Sequence, residues 1–156
     1  MKSKVNRGVT LVEVLATITI SGILFAIIGT IIGTFNISYE RSKTIRKMDN
    51  EIQYIENAIS LCVEYSNING YEFYIEKDEE TIEIINIINE EHKTLLTYDI
   101  VNKKIDLALS NSVKELEYIK SIDINIQDAS KTGIMVEIIT IEDVKKQSYH
   151  SVFNLR

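Results

Sequence analysis

The sequence predicts an α+β protein: a long N-terminal helix followed by a β-rich antiparallel head. Three observations predict it. From Val14 to Tyr39 no residue is charged, from Ile45 to Cys62 apolar residues recur at steps of three and four, and after Gly70 the apolar period drops to two. Those patterns read in turn as a membrane-length helix, one apolar stripe on a helix, and half-buried strands.

At 156 residues, 45% hydrophobic and 26% charged, the chain has room for one modest domain and an appended segment. Its formal net charge of −6 is unevenly spread: residues 71–156 hold 17 acidic and 10 basic side chains. An acidic head is a poor partner for nucleic acid, whose phosphates demand a basic field. The single cysteine, Cys62, has no partner for an internal disulfide, and on a helical stripe it reads as a small buried hydrophobe.

The first element is the apolar run. Twenty-six uncharged residues at about 1.5 Å each make a helix of about 39 Å, enough to cross about 30 Å of hydrocarbon. An ordinary signal peptide has a shorter core and a small-residue cleavage site after it, and no such site follows Phe35. Charge counting leaves the orientation open, since Lys2, Lys4 and Arg7 precede the run while Arg41, Lys43, Arg46 and Lys47 follow it. Gly29 and Gly33 have a spacing that suits close helix packing.

The second element carries Ile45, Met48, Ile52, Ile55, Ile59 and Cys62 on one stripe, and the helix is expected to run to about Tyr65 and to pack on its own sheet. "SNING", from Ser66 to Gly70, reads as a turn. Strands are expected at Tyr71 to Lys77, Thr81 to Ile88, Thr94 to Val101, Lys104 to Leu109, Leu116 to Gln127, Ile134 to Ile141 and Gln147 to Leu155. The polar connections Asp78-Glu79-Glu80, Asn89-Glu90-Glu91-His92 and Val101-Asn102-Lys103 separate the first four.

Catalytic signatures are missing from the sequence. His92 and His150 have no partners at zinc-ligand spacing, Asp123, Asn125 and Gln127 fit strand alternation better than a calcium loop, and Ser148, His150 and Ser151 lack a nucleophile elbow. Neither a P-loop nor a dinucleotide glycine pattern is present. The expectation is a chain that is no enzyme, with no metal and no cofactor.

One feature of the first element stands apart: a basic stub ending in Gly8, then Val9-Thr10-Leu11-Val12-Glu13, then the span. A carboxylate at the edge of a membrane helix is expensive unless something pairs with it. This grammar, Gly followed by a hydrophobic residue, Thr, two aliphatics and Glu, resembles the signal of type IV prepilins and type II secretion pseudopilins. The resemblance covers roughly residues 1–35. It implies that a prepilin peptidase cuts between Gly8 and Val9 and methylates the Val9 amine, and that Glu13 pairs with the N-terminal amine of a neighbouring subunit in a filament. Thr10, Leu11 and Val12 complete the signal. Gly8 suits this role because glycine lets a protease approach an extended backbone closely.

The resemblance divides the chain into a leader (1–8), a transmembrane and assembly helix (9–39), an amphipathic helix (40–66) and a β-rich head (67–156). It departs from the commonest pattern at Val9, where Phe or Met is usual, and at Thr30, which often is Pro; both point toward a minor pilin or pseudopilin. The layout from Leu109 to Arg156 is similar, loosely, to that of larger minor pseudopilins. The partners it implies are the peptidase, other pilin subunits, an assembly-platform protein and the cytoplasmic membrane, with the head outside before assembly and in an envelope or surface filament afterwards. Two alternatives stay open: a filament-tip adhesin or DNA-uptake subunit, with Lys103-Lys104 and Lys145-Lys146 as its cations, and a signal-anchored protein that never assembles.

Overall fold

The computed structural model describes residues 10–88, 91–126, 133–141 and 148–154. The chain divides between Ser42 and Lys43 into two compact units. Helix α1, Leu11–Asn69, makes up the described part of the first unit and opens the second. In the first unit its large apolar side chains, Ile18, Phe25, Ile28 and Phe35 among them, are exposed. It is the helix, among the described residues, long and apolar enough to cross a membrane. Four of its hydroxyls are satisfied internally: Thr17, Thr19, Thr30 and Thr34 each donate to the carbonyl four residues back at 2.7–2.9 Å. In hydrocarbon such back-bonding keeps these four O–H groups paired.

In the second unit the stripe is buried as its period demands. Met48, Ile52, Ile55, Ile59 and Cys62 are each under 5% exposed and join one core with both sheets. Strands β1 (Glu72–Lys77), β2 (Thr81–Ile88), β3 (Glu91–Asp99), β4 (Lys104–Leu107) and β5 (Ser112–Glu115) form an antiparallel sheet in chain order. Strands β6 (Ile119–Ile126), β7 (Gly133–Thr140) and β8 (Ser148–Asn154) form a second. Register places Ile84 opposite Leu96 and Tyr98 opposite Ile105 in the first sheet, and Ile122 opposite Ile138 and Ile124 opposite Val136 in the second. Each such side chain, fully buried, contributes about 1.5–3 kcal/mol. Between the sheets, Lys77 on β1 donates to Asp123 at 2.5 Å and to Asn125 at 2.8 Å on β6, which holds the Asp123 carboxyl below its usual range.

The structure corrects several boundaries. The helix continues four residues past Tyr65, because Ser66 turns inward and Asn69 donates to the Tyr65 carbonyl at 2.7 Å. Its end is set by Gly70, whose φ of +65° suits glycine, with the Tyr71 N–H returning to the Ser66 carbonyl at 3.0 Å. Strand β3 starts at Glu91 and stops at Asp99, because β2 pairs with it along its whole length and the Asp99 side chain then turns the chain by accepting from the Asn102 N–H at 2.7 Å. So Glu91 and His92, expected in a connection, belong to a strand; Asn89 and Glu90 lie outside the described residues, as do Gln127, Lys145, Lys146, Leu155 and Arg156. Strand β4 ends at Leu107 and β6 starts at Ile119, between which β5 was unforeseen. Eight strands are thus described where about seven were expected. Ser-Val-Lys-Glu shows no apolar inward face, since Ser112 and Lys114 turn to Tyr54, the first 3.1 Å from its hydroxyl and the second 4.6 Å from its ring.

Cys62 sits at 0% exposure, and burial pushes its thiol up to about 12. A thiolate then forms readily in the unfolded chain but not in the folded one, so the head should lose stability as pH rises above about 9, by about 1.4 kcal/mol per pH unit. Below that pH the contribution is fully present. Titration of the chain with iodoacetamide at pH 8 should label Cys62 only after denaturation; rapid labelling of the folded chain would contradict the burial.

Candidate functional site

The first described residues build a small, closed arrangement. Thr10 precedes the helix as its N-cap, and Glu13 is the acidic residue of the first turn. The Thr10 N–H donates to Glu13 Oε2 at 2.8 Å and the Thr10 hydroxyl to the same oxygen at 3.1 Å. In return the Glu13 N–H donates to Thr10 Oγ1 at 3.3 Å. That reciprocal pattern is a capping box: two backbone N–H groups that a helix start leaves without partners are satisfied by side chains three residues apart. The Val14 N–H to Thr10 carbonyl bond, 3.2 Å, closes the first helical turn.

The arrangement bears on the pairing of Glu13. Within the chain its carboxylate is held by Thr10, through Oε2; Oε1 takes no part in the cap. Leu11 and Val12, 77% and 73% exposed, point away as apolar surface. Gly8 and Val9, the expected cleavage pair, lie outside the described residues. Thr10 was read from sequence only as part of a signal; its spacing to Glu13, Thr-x-x-Glu before an apolar run, is itself the sequence signature of a capping box.

A second polar arrangement, in the head, went unread. Glu51 is 7% exposed, and its two oxygens accept the N–H groups of Glu117, at 3.0 Å, and Tyr118, at 2.9 Å, in the segment between β5 and β6. Beside it Lys47 lies 5.7 Å from the Tyr118 ring and 3.9 Å from Glu117. Five residues beyond Glu51, Glu56 accepts from Ser151 of β8. Further along, Ser66 Oγ is 2.8 Å from the Cys62 carbonyl and 2.7 Å from the Asn86 amide. One hydroxyl proton serves one acceptor, so Ser66 donates either to the Cys62 carbonyl or to Asn86 Oδ1 at any moment. These contacts hang both sheets on the helix; they are structural.

Of the remaining candidates, His92 is exposed on β3, and the side chain of His150 lies outside what is described. No group of three or more His, Cys, Asp or Glu among the described residues is placed to hold a metal ion. Lys104 is bound to Glu115 at 2.9 Å, which raises the lysine and lowers the carboxyl.

The family model for the prokaryotic N-terminal methylation motif matches residues 3–29. No curated protein and no solved structure matches the chain. That motif, with the long apolar helix and the antiparallel β-rich head that follow it, supports a type IV pilin-like protein. The motif implies processing by a prepilin peptidase and a structural rather than catalytic family.

Proposed function

We propose that the chain is a minor pilin or pseudopilin: it is held in the cytoplasmic membrane by residues 9–39, cut between Gly8 and Val9, methylated on the Val9 amine, and passed by an assembly-platform protein into a type IV pilus, a type II secretion filament or a competence filament. Residues 40–66 continue as an amphipathic helix into the β-rich head of residues 67–156, which faces outward. The observation that carries the reading is the methylation motif over residues 3–29, ending in a helix that a membrane can accommodate.

Several features support the assignment of roles. Thr10 caps a helix that starts at Leu11, so the Gly8–Val9 bond precedes the helix in sequence. Glu13 keeps Oε1 outside the cap, and that oxygen is the one to meet a neighbour's cationic amine. Gly22, Gly29 and Gly33 have nothing within 4 Å of where a Cβ would sit, so no contact inside the chain requires them; close approach of a neighbouring helix supplies a reason. A DNA-capturing head is disfavoured, since Lys104 is already engaged by Glu115 and the head is acidic.

The test is the mature N-terminus. Co-expression with a prepilin peptidase should remove residues 1–8 and leave a methylated Val9, as read by intact mass and peptide sequencing. A chain that emerges uncut, while a known substrate in the same cells is processed, sinks the reading.

A further inference from the structure

We propose that Arg41, Lys43, Arg46 and Lys47 form a cationic collar that binds the anionic phosphodiester headgroups of the bilayer and so fixes the depth at which the span sits; this rests on the reading of residues 9–39 as a membrane span. The lipids that fit carry a net negative headgroup, as phosphatidylglycerol does.

The distribution of charge along α1 is the first argument. The uncharged run ends at Tyr39, and residues 40–49 hold four cations against the carboxylates of Glu40 and Asp49. From 50 to 69 the same helix carries Glu51, Glu56 and Glu64 and no cation. Cations that served only solubility would have no reason to gather beside the span and be missing from the rest of the helix. Arg41 to Lys47 covers about 9 Å of helix axis. The polar layer on each side of the hydrocarbon is about 5–8 Å deep, and long side chains add the remaining reach.

The arrangement around the helix is the second argument. All four cations are exposed. At about 100° per residue, Lys43, Arg46 and Lys47 share a sector turned away from the buried Met48 and Ile52, whereas Arg41 falls on the opposite side. A protein partner meets a helix from one side, but a headgroup layer surrounds it, so cations on both sides suit the layer. The two arginines can each hold a phosphate through paired N–H···O bonds. Lys47 lies 3.9 Å from Glu117, an exposed pair that a phosphate can replace at little cost. Tyrosines flank the collar: Tyr39 is 62% exposed, and the half-buried ring of Tyr118 is 5.7 Å from Lys47 Nζ. Such rings, apolar with a polar tip, settle where hydrocarbon meets water.

The experiment places the full chain in phosphatidylcholine vesicles and measures, by electron spin resonance, how strongly it retains spin-labelled phosphatidylglycerol relative to spin-labelled phosphatidylcholine. The comparison is a chain carrying Arg41→Gln, Lys43→Gln and Arg46→Gln together; Lys47 is spared because it touches the head, and Lys2, Lys4 and Arg7 are present in both chains and cancel. The substituted chain should hold phosphatidylglycerol about fivefold more weakly, and 0.5 M KCl should remove most of the difference, where the screening length is about 4 Å. Equal retention by the two chains overturns the collar, as does a difference that salt leaves intact. Equal retention together with loss of the substituted chain from filaments also overturns it and gives these cations to a neighbouring subunit. A wild-type chain that an alkaline wash strips from the vesicles overturns the span reading instead, and flotation shows that before any lipid is measured.

Discussion

Replacing Glu51 by Ala is expected to destabilise the head by about 3 kcal/mol, because it strips partners from two part-buried backbone N–H groups. The Glu117 and Tyr118 N–H groups have the Glu51 carboxylate as their acceptor, and the residue is 7% exposed. For a head of this size that loss corresponds to a fall in Tm of about 10 °C. Glu51→Gln keeps one carbonyl acceptor but turns an NH₂ toward the other N–H, so it should lose about half as much. Glu64→Ala, on the exposed side of the same helix, should stay within about 0.5 kcal/mol and serves as the control. Thermal unfolding of the mature chain in detergent, followed by circular dichroism, measures all three. If Glu51→Ala unfolds together with the control, the two hydrogen bonds carry none of the stability assigned to them.

The second large effect concerns Glu13 and leaves the head untouched. Glu13→Ala should reduce incorporation into filaments at least about tenfold, while Tm of the head stays unchanged, since Glu13 makes its described side-chain bonds with Thr10 alone. Two further variants separate its roles. Glu13→Gln retains an oxygen that can accept the Thr10 N–H and so preserves the cap, but has no charge to offer an amine. Glu13→Asp keeps the charge on a shorter arm that reaches the Thr10 N–H less well. If charge pairing with a neighbour is what matters, Gln should fail and Asp should be the milder loss in sheared-filament yield. The reverse order would make the cap the essential element, and wild-type yield from all three would remove Glu13 from assembly altogether.

Much of this architecture could be read without coordinates, for reasons visible in particular residues. The apolar stripe from Met48 to Cys62 and the alternation of Ile122, Ile124 and Ile126 are strong periodic signals, and both resolve as expected in a buried helix face and an inward strand face. The helix end was misplaced because Ser66, Asn67 and Asn69 favour turns in isolation; here Ser66 is recruited by Asn86, twenty residues away, and Gly70 does the terminating. Strand β5 was invisible because its inward positions are Ser112 and Lys114, which find their partner, Tyr54, on the helix. Glu51 looked like one more surface carboxylate on a helix rich in them, since nothing near it in the chain announces that Glu117 and Tyr118 need an acceptor.

By itself the sequence determined the processing motif, the membrane-length apolar run, the α+β order of elements and the identity of most core side chains, because those depend on composition and on periods of two and 3.6 residues within one segment. The tertiary structure alone decided that the head holds two sheets rather than one, that Glu51, Glu56 and Ser66 fasten those sheets to the helix, and that β5 exists at all. The physical reason is the range of the interactions. Periodicity is local, whereas an orphaned N–H or a polar strand edge is satisfied by whatever side chain the fold brings to it, here from 58 to 95 residues away.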